Sequence, residues 1–168
     1  MPPDSCQLLN GLPPVIGSKP LVLILGSFPS RLSLESGQYY SNPQNQFWKV
    51  MENLLAIDST LPYPRRLELM LEHRLALWDA IGSCSRRGSA DSRIMNGSCN
   101  DIGRLLESRP GIRVIACNGS ASARFVEKKP LPATIPFLRL PSTSPANARL
   151  LLGEKIRAWS AILRYLDK

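Results

Sequence analysis

Residues 21–48 read LVLILGSFPSRLSLESGQYYSNPQNQFW, and the fold follows from how this stretch begins. The unbroken apolar run 21–25, closed by Gly26, Ser27 and then Pro29, predicts a strand buried on both faces. Pro29 has no N–H for a sheet ladder, so the chain must leave the sheet there. In an open α/β sheet, the loop at the carboxyl end of a strand is where ligands bind. This loop carries Tyr39 and Tyr40, then Asn42, Gln44, Asn45 and Gln46, and Phe47 and Trp48 lead into an apolar segment. Flat rings beside a cluster of amides suit a flat heterocycle, with the rings on its faces and the amides at its edges.

Outward from this stretch, three more apolar runs predict strands at 75–81, 111–117 and 135–140. Asp79 inside the second run is unusual, because a carboxylate in a buried strand needs partners. Helical spacing of Phe47, Val50, Met51, Leu54 and Leu55 predicts a helix over 47–56, with Asn45 placed to cap it. Further helices are expected at 65–73, from Asn100 or Asp101 through Glu107, at 120–128 and at 146–166. Strands alternating with helices predict an α/β protein: a three-layer α/β/α arrangement around a central, mostly parallel four-stranded sheet. Residues 1–20, rich in Pro and Gly, read as an N-terminal arm, and 21–168 as a single domain. The polar stretch 83–100, with Arg86, Arg87 and Arg93, reads as a long loop, and such loops are usually functional or disordered.

At 168 residues, 43% hydrophobic and 20% charged, the chain suits one globular domain rather than a disordered one. Its net charge of +8 and pI near 9.7 favour a polyanionic partner, although solubility alone accounts for such a charge. No apolar run reaches the roughly 20 residues that span a bilayer. Residues 1–20 lack a basic start and an apolar centre, so a cytoplasmic, membrane-free protein is expected. A monomer is expected as well. The four cysteines, Cys6, Cys84, Cys99 and Cys117, form no C-x-x-C pair, which argues against zinc-ribbon and thioredoxin-type sites.

Gly26-Ser27-Phe28-Pro29-Ser30, Ser33-Leu34, Gln38-Tyr39-Tyr40 and Pro43-Gln44-Asn45-Gln46-Phe47-Trp48 resemble the first motif of the uracil-DNA glycosylase superfamily. Leu140-Pro141-Ser142-Thr143-Ser144-Pro145-Ala146 resembles its second. Within the superfamily the hypoxanthine (deoxyinosine) DNA glycosylase family matches best, and residues 75–84, 87–92 and Asn118-Gly119 also resemble its segments. The resemblance implies the α/β/α fold and a monofunctional glycosylase. Such an enzyme flips a deaminated base, here hypoxanthine, out of DNA and cuts it off by hydrolysis, without cofactor or metal. Some relatives hold an iron–sulfur cluster on four cysteines. Here Cys84 and Cys99 fall near two of those positions, but only Cys6 precedes the first motif, and three thiolates do not close a four-thiolate site.

The resemblance also assigns roles. Asn45 matches the catalytic asparagine; it cannot ionise usefully, so it would orient water and hold the base. Tyr40 stands where the stacking aromatic is usual, and Gly26, Ser27, Phe28, Asp79 and Asn118 complete the expected base pocket. Phe28 replaces the Asp, Asn or Glu of uracil-cutting relatives and cannot activate water, so little uracil activity is expected. Ser30 stands where Gly is more usual. Arg86, Arg87, Ser142, Thr143 and Ser144 are the expected DNA contacts, the last three at the start of the final helix. The one histidine, His73, lies on a predicted helix away from both motifs. Each residue has a plainer reading as well: Tyr39 and Tyr40 as core aromatics, Asp79 as a loop cap, the arginines as solvated charges, and the serines as turn formers. Two other functions fit the same residues: a nucleic-acid-binding module that has lost catalysis, and a hydrolase of free nucleosides. A xanthine or uracil preference is a further alternative.

Overall fold

The computed structural model describes residues 7–167; residues 1–6 of the expected arm, Cys6 among them, and Lys168 lie outside the described residues. The chain begins with β1 (Leu8–Asn10), β2 (Val22–Gly26), α1 (Arg31–Ser36), α2 (Phe47–Leu55) and α3 (Tyr63–Glu72). It continues through β3 (Leu75–Asp79), β4 (Ile81–Ser85), β5 (Met95–Cys99), α4 (Ile102–Ser108) and β6 (Val114–Asn118). It ends with α5 (Ser120–Glu127), β7 (Phe137–Leu140), α6 (Leu152–Trp159) and α7 (Leu163–Leu166). The central sheet has four strands in the order β3-β2-β6-β7, every pair parallel.

β2 is buried at every position because both faces of the sheet are covered. On one face Val22, Ile24, Leu75, Leu77 and Val114 pack against Phe47, Met51, Met70 and Trp159 of α2, α3 and α6. On the other, Leu23, Leu25, Ala76 and Ile115 pack against Ile102, Leu106, Ala123 and Val126 of α4 and α5. Phe47 and Trp159, both fully buried, meet edge to face at 6.0 Å and lock α2 to α6. The expected three-layer α/β/α arrangement with a parallel four-stranded sheet is thus observed.

Three expectations change. The run expected as one strand over 75–81 is two strands in different sheets. At Ala80 the chain leaves β3, and its N–H donates to the Gly26 carbonyl at 2.8 Å. The stretch 83–100 is no simple loop: β4 and β5 form an antiparallel hairpin, and β1 adds to its other edge. Its tip holds a 3-10 turn at Asp91–Arg93. The last helix begins at Leu152, well beyond the expected 146, and residues 141–151 run as turns and loop. Of the arm, Val15 exchanges two backbone hydrogen bonds with Leu77, at 2.8 and 2.9 Å, and so covers the outer edge of β3.

Candidate active site

Parallel register puts the carboxyl ends of the four strands in one row. Gly26 pairs with Asp79, Asn118 pairs with Leu140, and Leu25 beside Cys117 joins the two halves. A cleft of about 800 Å³ opens over this row. Gly26, Ser27, Phe28, Tyr40, Asn45, Asp79 and Asn118, expected from far-apart segments, all line it. His73 is not among its lining residues.

Asp79 is the last residue of β3 and is only 4% exposed. Its carbonyl accepts from Asn100 Nδ2 at 2.7 Å, which pins the strand end. Its Oδ2 is buried and has no hydrogen-bond partner. Burial raises its pKa to about 7; Asp91 across the cleft adds to the shift and Arg86 opposes it. The plain reading of Asp79 as a loop cap has no support in its own carboxyl contacts.

The two tyrosines part company. Tyr39 is buried, donates its hydroxyl to the Pro13 carbonyl at 2.9 Å, and donates its backbone N–H to Tyr63. It is a core anchor that also borders the cleft. Tyr40 is half-buried with its ring stacked on Phe47 at 4.1 Å, and it lines the cleft. Its φ is 55°, a left-handed conformation that costs a bulky residue about 1–2 kcal/mol. Its hydroxyl is buried without a geometric partner; the Asn118 amide beside it favours ionisation, but burial dominates and raises the pKa.

Asn45 sits one residue before the position that precedes α2. Its Oδ1 accepts from the Phe47 N–H at 2.9 Å, so it does bind the start of the helix. That bond orients the amide and leaves the two Nδ2 N–H donors and one Oδ1 lone pair for a ligand. Phe28 is 6% exposed; its ring packs with Ile81 and Cys84 and carries the Arg86 guanidinium 5.0 Å above its centre. Ser30 has a local reason for replacing glycine: its Oγ caps α1 by accepting from the Ser33 N–H at 3.2 Å.

The second motif is clasped to the first. Asn118 Nδ2 donates to Thr143 Oγ1 and Thr143 N–H donates to Asn118 Oδ1, both at 3.0 Å. The Gln46 N–H donates to the Thr143 carbonyl at 2.9 Å. Thr143 is fully buried, so its expected phosphate contact gives way to this structural role. Ser142 and Ser144 line the cleft, but their Oγ atoms accept from the Ser144 and Ala146 N–H groups, and no helix begins there. The second motif therefore presents no helix N-terminus to a phosphate.

Arg86 is also not a solvated phosphate contact. It is 6% exposed, and its guanidinium donates to the carbonyls of Pro29 and Gly88. It holds the first-motif loop against the hairpin. Arg87 is exposed. The sequence singled out 87–92 but gave no site role to Ser89, Ala90, Asp91 and Ser92, which wall the cleft at the hairpin tip, or to Arg139, which lines it and pairs with Glu127. Low β-propensity in Met95–Cys99, with its Asn, Gly and Ser, hid the hairpin. Only the adjacency of Arg139 to the second motif signalled that residue.

Cys84 is buried beside Phe28, Cys117 is buried on β6, and Cys99 is exposed on β5. Among the described residues no group of three or more His, Cys, Asp or Glu is placed to hold a metal ion. No helix among them is long and apolar enough to cross a membrane.

Known proteins share this arrangement. The profile of the uracil DNA glycosylase superfamily matches residues 13–166. The hypoxanthine DNA glycosylase of Methanosarcina acetivorans is 34% identical over 95% of this chain and 100% of its own. That of Methanosarcina barkeri is 31% identical over 87% of this chain and 92% of its own. A solution NMR structure of a Methanosarcina acetivorans protein assigned as a uracil DNA glycosylase superposes with a TM-score of 0.84 at 32% identity, covering 96% of this chain and 100% of that one.

Proposed function

The chain belongs to the uracil DNA glycosylase superfamily, and we propose that it hydrolyses the N-glycosidic bond of deoxyinosine in DNA and releases hypoxanthine. Its two relatives named hypoxanthine DNA glycosylase match nearly the whole chain, which supports an enzyme acting on deaminated bases. The observation that carries the choice of base is at Phe28. An apolar, buried ring occupies the cleft position where uracil-cutting relatives place a group that activates water.

The target nucleotide leaves the helix stack and enters the cleft. The Tyr40 ring, backed by Phe47, offers it a flat apolar face. Asn45 acts mainly through its Nδ2 donors, because Oδ1 already accepts from the start of α2. One donor of that kind can hold the water oxygen or a base carbonyl, and its contribution is positioning rather than proton transfer. Arg87, Ser142 and Ser144 are the remaining candidates for phosphate contact, backed by the net charge of +8.

The test is single-turnover base release from oligonucleotides carrying one deoxyinosine, deoxyxanthosine or deoxyuridine. The expected result is hypoxanthine release with little uracil release. Robust uracil release at neutral pH, with hypoxanthine retained, would sink the reading.

A further inference from the structure

Water positioning leaves one half of the reaction without an agent. When the C1′–N9 bond breaks, its electron pair stays on the purine, and an anion in a desolvated cleft is costly unless a donor or a proton meets it. Asn45 offers only neutral N–H donors, which hold water or base but pass no proton.

Asp79 borders the same cleft, closed off from solvent, with Oδ2 unpartnered. A buried carboxyl oxygen without a partner is rare in a folded protein and calls for a cause. The carboxyl is also fixed in place. The Asn100 amide holds its backbone, and the Gly26 backbone packs so closely that a Cβ there would lie 2.3 Å from Oδ1. The titratable groups around it are Asp91 on the hairpin tip, Tyr39 and Tyr40 on the loop before α2, and Arg86 after β4. The Arg86 guanidinium donates to the Pro29 and Gly88 carbonyls through two of its nitrogens, its third nitrogen is buried without a partner, and it forms no ion pair with Asp79.

We propose that Asp79 is the general acid of the reaction, its carboxyl O–H passing a proton to an unprotonated ring nitrogen of the purine as C1′–N9 breaks. This rests on the deoxyinosine reading above. The electron pair of the broken bond ends on the base, and the proton from Asp79 neutralises it. Water adds its oxygen to C1′ and gives up one proton to solvent, and the Asp79 carboxylate regains one from solvent. Base and abasic sugar leave as neutral products. A purine offers N7 and N3 to such an acid. Uracil, joined through N1 and protonated at N3, offers no free ring nitrogen, so this proton transfer is open to a purine and not to uracil. The raised pKa, about 7, leaves a substantial protonated fraction at neutral pH.

The experiment is single-turnover release of hypoxanthine by the full chain over roughly pH 5 to 9, for the wild type and Asp79→Asn, with binding to an uncleavable 2′-fluoro-deoxyinosine duplex measured alongside. The wild-type rate should fall about tenfold per pH unit above the Asp79 ionisation. Asp79→Asn should be at least about 100-fold slower at the acid end, flat with pH, and normal in binding. A structural role would instead weaken binding and leave the shape of the pH profile alone. If Asp79→Asn does not fold, the wild-type profile decides, and a rate flat across the range overturns the proposal. Hypoxanthine release by Asp79→Asn at the wild-type rate overturns the acid and leaves the deoxyinosine reading standing. No hypoxanthine release by the wild type overturns both.

Discussion

Gly26 and Asp79 stand side by side at the carboxyl ends of β2 and β3, so close that a Cβ on residue 26 would lie 2.3 Å from Asp79 Oδ1. The glycine is there for close approach, since its backbone is that of an ordinary strand. Gly26→Ala must push the carboxyl or the strand end aside. We expect it to cost about 1–3 kcal/mol of stability and to lower excision at least tenfold or so. Gly37→Ala, at φ 67° with open space around it, should cost about 1 kcal/mol and leave excision intact. Unfolding midpoints and single-turnover rates on both variants check this.

Asn45 carries two duties on two atoms. Oδ1 serves α2, and Nδ2 is free for the cleft. Asn45→Ala should lose about 1 kcal/mol of stability and about a hundredfold in excision, with DNA binding retained. Asn45→Asp keeps an acceptor for the Phe47 N–H and removes the donor, so it should fold normally and still excise slowly. A folded Asn45→Ala protein with near-normal excision would remove the residue from the site.

The raised pKa of Asp79 has a stability consequence of definite sign. Below about pH 4 the carboxyl is protonated in both folded and unfolded chains, and the fold suffers no penalty from its ionisation. As pH rises toward about 7, the unfolded chain ionises while the folded one holds its proton, and stability falls. Above that value both are ionised and the loss is complete. Asp79→Asn removes the ionisation. At pH 8 it should be more stable than the wild type by on the order of a few kcal/mol, with a correspondingly higher unfolding temperature, and the gap should close toward pH 4. Thermal melts across this range provide the measurement; a gap that widens on acidification would contradict it.

The neighbouring arginines should behave oppositely. Arg86→Ala strips the Pro29 and Gly88 carbonyls of their donor inside the protein and should cost about 2–4 kcal/mol. Arg87→Ala acts instead on an exposed side chain of the hairpin. It should weaken DNA binding uniformly across sequences and flatten the salt dependence by about one charge. Affinity titrations at several salt concentrations, paired with denaturant melts, separate the two.

Sequence alone determined the layered α/β architecture, the order of its parallel strands' ends along the chain, and the segments that meet at the cleft. It could do so because apolar runs, helical spacing and the Gly and Pro that close each run are local signals, set by residues a few positions apart. It also distinguished Phe28 as a residue unable to activate water, a matter of side-chain chemistry that needs no coordinates. Tertiary structure decided which polar atoms are already spent. Arg86 looks like a solvated charge beside Arg87, but only the distant Pro29 carbonyl reveals it as buried scaffold. Thr143 looks like a phosphate donor until Asn118 claims its hydroxyl. Asp79 stands out in the sequence as a carboxylate in an apolar run, but its unpartnered Oδ2 emerges only when Gly26, Asp91 and Tyr40 close around it. Hydrogen bonding and desolvation depend on atoms brought together from remote parts of the chain, so no local pattern can say which donor or acceptor is left for a ligand.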